Sequence, residues 1–589
     1  KDTNKVTIGT GGLTVGGNRR VTLKTGSIEN SGGVGVMTVG TGSTLNLYTN
    51  SIANLVAHRA TPSSPLTPSV TGTGTLGIAT YDGTKTIGLG NGATGDLLLP
   101  DAKFGTVFGS GFTHYAIGND VQGTINVANS SLAKDVTLQA NTINFAGDMT
   151  LAAGKTLVVN AKTAANQTAG KIKTDKLALL GGNIALEQNN EIGTLAANAL
   201  SVKVKSNALT IGEITTPAGA PIASTTITGV RSGEVGTVAG DIVLSADAMT
   251  FDKAVEGKGN LTLQQANAAT NLNVGTAGTG LNLPENLFGG AKIKDGFKHV
   301  YLGREDATGA TKVGGNLNFV DPTTIRSGKT AGAMTLDGTA NIGTNGNALA
   351  LESKDLTTAP GSKVNTGAGD LTLKTDAIDL NGKMKGKKAL NILPISHNRD
   401  IKLGGTVNDS AKLSLLDKYF NGNNRQFWEY EIINIGDRGG GGRLYQSGTI
   451  DMPFTVNIQQ AITSGQGGVN LSGSIKTHGR DYTVASREVN LDDAHINADG
   501  ADRDHDGNVA IHADTLNTAN GSTITGHGDV SFDTYTPGKT LNFGTPGAGG
   551  SASDPTLPSD IFSGTGLLRK NSDGKGFRKI RIGGTNAGD

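Results

Sequence analysis

The chain of 589 residues contains no cysteine. That removes disulfides, thiolate zinc sites and cysteine nucleophiles together. No surplus of one charge exists either: 51 basic residues stand against 50 acidic ones, a formal charge of +1. A nucleic-acid binder is expected to show a basic surplus or stripe, so that class is excluded. No stretch of 18 apolar residues occurs, so no helix spans a membrane. The start, Lys1-Asp2-Thr3-Asn4, lacks the apolar core of a signal peptide. Either a targeting segment has been removed or the chain is an excised piece, and with no polar capping repeat evident at either end of the array a segment of something longer is expected. Aromatics amount to 4 %.

Glycine is abundant instead, at 89 residues. Without a strict G-X-Y period this is not collagen. Apolar residues recur every few positions, so the chain is not wholesale disordered. The combination fits many short strands joined by tight turns.

Two nested repeats organise the chain. The short one is DVTLQANTINFAGDM at residues 135–149, matched without a gap by DLTLKTDAIDLNGKM at 370–384. Looser copies start at Val21, Asp241, Asn347, Asp481 and Asn508. Each is an apolar/polar alternation, a polar kink and a second alternation. Period 2 marks strands with one buried face, and the second strand follows too soon for a helical crossover. A two-strand corner repeated along a chain is what a β-solenoid needs. A sandwich would want regularly spaced hairpin turns, and the Asn-Gly pairs at Asn381 and Asn421 do not recur with the unit.

The long repeat is a glycine-punctuated apolar run, a Leu-Pro corner and a strand running from an aromatic to a glycine. Copies span residues 86–118, 271–303, 401–436 and 541–583, the third looser. Its anchors are Phe112, Phe297, Tyr430 and Phe577, with Gly118, Gly303, Gly436 and Gly583 six residues on. The third and fifth residues after each anchor are apolar, while the fourth varies. This predicts a strand buried on one side only. The expected organisation is the end of a preceding module at 1–85, then modules at 86–270, 271–400 and 401–540, and a truncated one at 541–589. Rungs of roughly 20 to 25 residues would give about 25 turns, and at about 4.8 Å per strand spacing a rod on the order of 120 Å.

These units resemble the β-helical repeats of filamentous-haemagglutinin-like adhesins, the large two-partner-secreted exoproteins. The likeness extends over nearly the whole chain, but it is one of texture with degenerate motifs. It implies a protein of the Gram-negative cell surface, exported through an outer-membrane pore, in a family where few cysteines are the rule. No N-terminal secretion domain is recognisable.

Three interruptions could carry chemistry. In residues 492–514, Asp502, Asp504 and Asp506 before Gly507 match the first half of a calcium loop, where alternate carboxylates on a tight turn converge on one hard cation. Asn508 and Asp514, or Asp499, would complete the shell. Ala513 stands where an EF-hand has its bidentate Glu, so this is not an EF-hand. The bland alternative is a solvated loop between rungs. The same acids admit a polysaccharide lyase or hydrolase, which needs a separated acid pair, but cationic and aromatic groove residues are not evident nearby.

The second interruption is aromatic: Tyr419, Phe420, Phe427, Trp428 and Tyr430 fall within twelve residues, among Asn421, Asn423, Asn424 and Arg425. Tyr419, Phe427, Trp428 and Arg425 are the candidate ligand contacts, for a sugar ring or a protein partner. The alternative is that Phe420 and Tyr430 fill the rod's core and Trp428 packs under a protruding loop. The third is a proline loop at 57–71, expected to protrude. The glycine-rich stretch 436–443, with no apolar residue to anchor it, reads as a mobile bulge. GTGTLG at 72–77 is a chance dinucleotide match with no helix after it.

The expectation is an extracellular, right-handed parallel β-helical rod with protruding loops, the adhesive shaft of a bacterial surface adhesin. It would bind a polysaccharide or surface receptor, or a like molecule on a neighbouring cell. Calcium is the only cofactor indicated, and no enzymatic activity is expected. Competing readings are a ligand-free stalk or surface-layer strut, a polysaccharide lyase or hydrolase, and capture of haem or a haem carrier.

Overall fold

In the strand Leu371–Leu380 the alternation does what its period demands. Leu371, Leu373 and Thr375 are buried, while Thr372 and Lys374 between them are partly exposed. Asp376 is then buried next to Thr375, which shifts the phase and turns the corner before Ile378 and Leu380 point inward again. The strand lies parallel between Leu349–Thr358 and Ala389–Leu393, with Leu351 on Leu373 and Leu373 on Ile392. The fold is a parallel β-helix. The structure, a computed structural model, describes residues 4–31, 35–59, 62–218, 223–233, 239–460, 468–500, 506–519, 521–543, 556–557, 561–563 and 566–584.

Two compact units divide the chain: residues 1–267 with 286–300, and residues 268–285 with 301–589. In the first unit one inward column runs Leu47, Ile78, Ile117, Leu138, Val159, Leu179. In the second a longer one runs from Ile325 through Leu351, Leu373, Ile392, Ile435, Ile458, Val484 and Ile511 to Phe532. Every member of both is at most 1 % exposed. Each inward residue thus rests on its counterpart in the next rung, and the core is continuous rather than globular.

The repeated acids bind neighbouring rungs together. The leading Asp of the short motif accepts a hydrogen bond from the backbone N–H where the next rung's strand begins. Asp135 takes Thr156 at 2.8 Å, 21 residues on. Asp241 takes Asn260 at 2.8 Å, Asp370 takes Ala389 at 3.2 Å, and Asp481 takes Asn508 at 2.8 Å. A second set sits at the corner: Asp247 accepts from Asn267 at 3.0 Å, and Asp376 from Ile395 and Ser396 at 3.1 and 2.9 Å.

The glycine that ends each long repeat is explained by geometry. Gly118, Gly303, Gly436 and Gly583 have φ of 85°, 95°, 88° and 76°, a region that side chains with a Cβ avoid. At Gly118, Gly303 and Gly436 a Cβ would also collide with the carbonyl oxygen of Gln139, Arg326 or Gln459 in the adjoining rung. The anchors find a related partner that the pattern did not reveal. Phe297, Tyr430 and Phe577 lay their rings on Gly257, Gly386 and Gly526, where a Cβ would meet the ring.

Inside the long repeat the Leu-Pro strand folds back. Thr86–Leu89 has Thr124–Val127 on one side and Leu97–Leu99 on the other. Leu272–Val274 and Asp400–Leu403 carry the same kind of returning strand, Leu281–Leu283 and Lys412–Leu415.

The anchor strand departs from its expected single buried face at two copies. His114–Gly118 is buried throughout. The Ala218 carbonyl reaches its outer side, accepting from Thr75 Oγ1 at 3.3 Å, and His114, bonded to Thr137 at 2.9 Å, is pushed down to about 4 by burial. Nearby, the antiparallel hairpin Glu213–Thr215 and Thr226–Thr228 packs Ile214 and Ile227 on the outward Val158, Ala178 and Ala196. A small second core therefore sits on the outside of the first unit's wall. Conversely Ile580 and Ile582 remain 42 % and 39 % exposed, because their strand pairs with Asp529–Asp533 and nothing lies on its other side among the described residues.

Asp376 offers a test of the corner acids. Burial alone would raise its carboxyl, but Lys354 Nζ at 2.6 Å, together with Ser396, outweighs this and holds it below the ordinary value. Asp376→Ala orphans two backbone N–H groups and is expected to lower stability by about 3 kcal/mol, the upper end for unsatisfied buried donors, read as a fall in melting temperature. The wild-type contribution is present above the ordinary carboxylate pKa and is lost as pH falls through the lower folded value. The gap between wild type and variant should therefore close in acid.

Candidate functional site

In the second unit a five-stranded parallel sheet is built from Asn316–Asn318, Asn341–Gly343, Lys363–Asn365, Lys383–Lys385 and Phe427–Trp428. Its central residues Leu317, Ile342, Val364, Met384 and Phe427 form an inward column, each at most 2 % exposed. Alternation then sends their neighbours to solvent. One outward row reads Asn316, Asn341, Lys363, Lys383, and the other Asn318, Gly343, Asn365, Lys385, Trp428. A groove of about 330 Å³ lies against Lys363, Asn365, Lys383, Lys385, Trp428 and Glu429.

Trp428 is held where it stands. Its indole N–H donates to the Arg425 carbonyl at 2.6 Å. The Arg425 guanidinium lies 4.3 Å from the ring centroid and Lys383 Nζ 5.3 Å from it, within cation–π range. Glu429, at φ 62°, turns the chain so that its carboxylate meets Lys385 at 2.8 Å. Lys363, Lys383 and Arg425 have no carboxylate partner among the described residues. The site is thus a flat sheet face with a local positive excess on a chain of almost zero net charge. Among the described residues its lining holds one carboxylate, Glu429, and no histidine.

The candidate ligand contacts divide here. Arg425 and Trp428 stand at the surface, but Tyr419 and Phe427 are 0 % exposed and are corrected to core residues. The Tyr419 hydroxyl bridges the Ile378 carbonyl and the Leu380 N–H, each at 3.3 Å, and burial pushes it up to about 12. Phe427 packs against Phe420 and Tyr419 at centroid distances of 5.4 and 6.3 Å. The insert therefore carries its own aromatic core and offers solvent only Trp428 of these rings. The lysines were missed. Their signal was the KMK triplet at 383–385, whose outer members alternate around a buried methionine and share a face with Trp428 only once the rungs are stacked.

The described part of the acidic stretch engages its side chains in contacts between rungs. Asp502 and Asp504 lie outside the described residues. Asn508 is committed to rung stacking: its Oδ1 accepts from the Asp529 N–H at 2.8 Å and its Nδ2 donates to Asp481 at 3.1 Å. Asp514 is a corner acid, accepting from the Thr536 N–H at 2.8 Å and its hydroxyl at 2.5 Å. Among the described residues no group of three or more acidic or histidine side chains is arranged to hold a metal ion. Asp506 instead faces His527, whose Nδ1 is 4.0 Å from it and pairs with Asp499, while Nε2 meets Asp573 at 3.1 Å. Burial works against the charged ring, but Asp573 and Asp499 outweigh it and hold His527 above its ordinary value.

The remaining loops are tied down. His58 and Thr67 exchange backbone hydrogen bonds of 3.0 and 2.7 Å at the base of the proline loop. The 436–443 stretch, read as a mobile bulge, is stitched by polar groups in place of apolar ones. Gly441 donates to His397 at 2.7 Å, Arg443 to Asp400 at 2.7 Å, and the Gln460 side chain to the Gly442 carbonyl at 2.6 Å.

A scan against protein-family models, a search of curated proteins and a search of solved structures each returned no match.

Two measurements check these assignments. Asp514→Ala is expected to lower the melting temperature by the same amount in calcium as in chelator; a loss seen only with calcium would restore the metal reading. Because His527 is raised, its contribution is present below the ordinary histidine pKa and is lost as pH rises through the folded value. Hydrogen exchange at residues 573–578 should accelerate over that rise in wild type and show no such step in His527→Gln.

Proposed function

We propose that this chain is an adhesive β-helical part of a bacterial surface exoprotein, and that it attaches to polysaccharide through the outward face around Trp428. The observation that carries the reading is the groove on that face, where an ordered indole, lysines and asparagines converge on a sheet held rigid by its own core column. Sugars are recognised by polar donors and acceptors set around an aromatic, and a rigid sheet presents these at little entropic cost. The resemblance to filamentous-haemagglutinin-like adhesins points the same way, toward export through an outer-membrane pore and work at the cell surface. The single carboxylate in the groove does not favour a lyase or hydrolase there, since glycoside hydrolysis uses a pair.

The test is a glycan array probed with the whole chain. Retention of a defined set of polysaccharides is expected, with affinity falling roughly fivefold to thirtyfold in Trp428→Ala, equivalent to the about 1–2 kcal/mol of a partly desolvated cation–π site. The melting temperature should hardly move, because the Phe427 column is untouched. Failure to retain any glycan would overturn the proposal in favour of a ligand-free strut.

A further inference from the structure

We infer that the Trp428 face takes a linear anionic polysaccharide with about one negative charge per sugar, laid along the stacking direction over Lys363 and Lys383. This deepens the polysaccharide reading above and rests on it.

Four observations carry it. First, Lys363 and Lys383 are register partners on adjacent strands. Like charges directly opposite one another are destabilising, and Lys385 follows on the same face beside Asn365. Two other outward stacks are filled with groups that satisfy each other: Asn391, Asn434 and Asn457 form one ladder with bonds of 2.7 and 3.0 Å, and Asn470, Asn490 and Asn517 form another at 2.8 and 2.7 Å. Lys363 and Lys383 have no such hydrogen-bonded or carboxylate partner among the described residues. A bound anion supplies one.

Second, the charges recur at the rung spacing, about 4.8 Å, close to the advance of one hexopyranose along a linear chain. A polymer with one carboxylate per sugar can therefore meet successive lysines without bending. Third, Asn316 and Asn341, linked at 3.0 Å, continue the Lys363–Lys383 row and offer amides to sugar hydroxyls beyond the charged section.

Fourth, the guanidinium of Arg425 stacks on Trp428 and Lys383 also approaches the ring. The indole thus orders cations for an anion more than it offers a bare platform to a neutral sugar. A single-stranded nucleic acid would also bring repeated charge, but such strands are bound by a series of aromatic platforms in a basic groove. Among the described residues the lining of this groove has one aromatic, Trp428.

The experiment measures binding of the whole chain to labelled polygalacturonate, dextran sulfate, neutral dextran and a single-stranded oligonucleotide. The Lys363→Ala/Lys383→Ala double variant is compared with a control pair, Lys162→Ala/Lys205→Ala, on other rungs. Both lysines of the site are exposed, so the fold should survive, which the melting temperature verifies. Polygalacturonate is expected to bind, and to bind about tenfold more weakly both in the double variant and when salt is raised enough to shorten the Debye length from about 10 to about 3 Å. The control pair should bind like wild type. Dextran sulfate binding with the same lysine dependence would support the anionic class with sulfate as a source of the charge.

Binding of neutral dextran as tight as that of the polyanions, insensitive to the double variant, would overturn the inference while leaving polysaccharide attachment standing. Tighter binding of the oligonucleotide would overturn it in favour of a nucleic acid. Failure of every polysaccharide to bind would remove both readings together.

Discussion

Register is the constraint on which everything else here depends. Within each unit, rungs lie parallel with inward residues stacked in columns over their counterparts, so one position in the motif sees the same surroundings again and again. Backbone hydrogen bonds between rungs fix the spacing, and the apolar columns remove the inward side chains from water. A slip of one residue would turn each column out to solvent. The leading and corner acids hold that register at the points where strands begin, by capping N–H groups of the next rung. The long-repeat glycines belong to the same constraint, because a Cβ there would push the rungs apart.

A wall of this kind leaves only the outward positions free for recognition, and these also stack. Stacked asparagines bond to one another and add to the wall. Stacked lysines repel one another, and Lys363 and Lys383 have no carboxylate partner among the described residues to offset this. The aromatic insert reaches this face because Met384 pairs with Phe427, which places Lys385 beside Trp428. Buried aromatics fix the insert, and one exposed indole with its cations is what they deliver.

The sequence made the rungs legible because their causes are local. Alternation, the polar kink at Thr375–Asp376 and the repeated Gly118, Gly303 and Gly436 all state a geometry within a few residues. Where the reading went astray, the deciding partner lay one or more rungs away. Tyr419 and Phe427 looked like surface binding groups because nothing local showed that the end of the Leu371–Leu380 strand would take the Tyr419 hydroxyl and that Met384 would stack on Phe427. Asn508 and Asp514, read as completing a calcium shell, also accept from Asp529 and Thr536 on the next rung, partners that the local motif does not name. The 436–443 stretch lacked apolar anchors, and its anchors proved to be His397, Asp400 and Gln460.

What the sequence by itself determined is the unit: two short strands, the corner between them, the glycine that lets rungs approach, and a parallel β-helix as the way to bury one face of each copy. These follow from backbone sterics and side-chain period, which act over neighbouring residues. Only the tertiary structure decided which outward positions stay open and which side chains share them. A hairpin closes part of the wall in the first unit, and in the second Lys363, Lys383 and Trp428, up to 65 residues apart in sequence, come to one groove. That outcome depends on how many residues each rung and insert contains, a sum over the chain that no local pattern states.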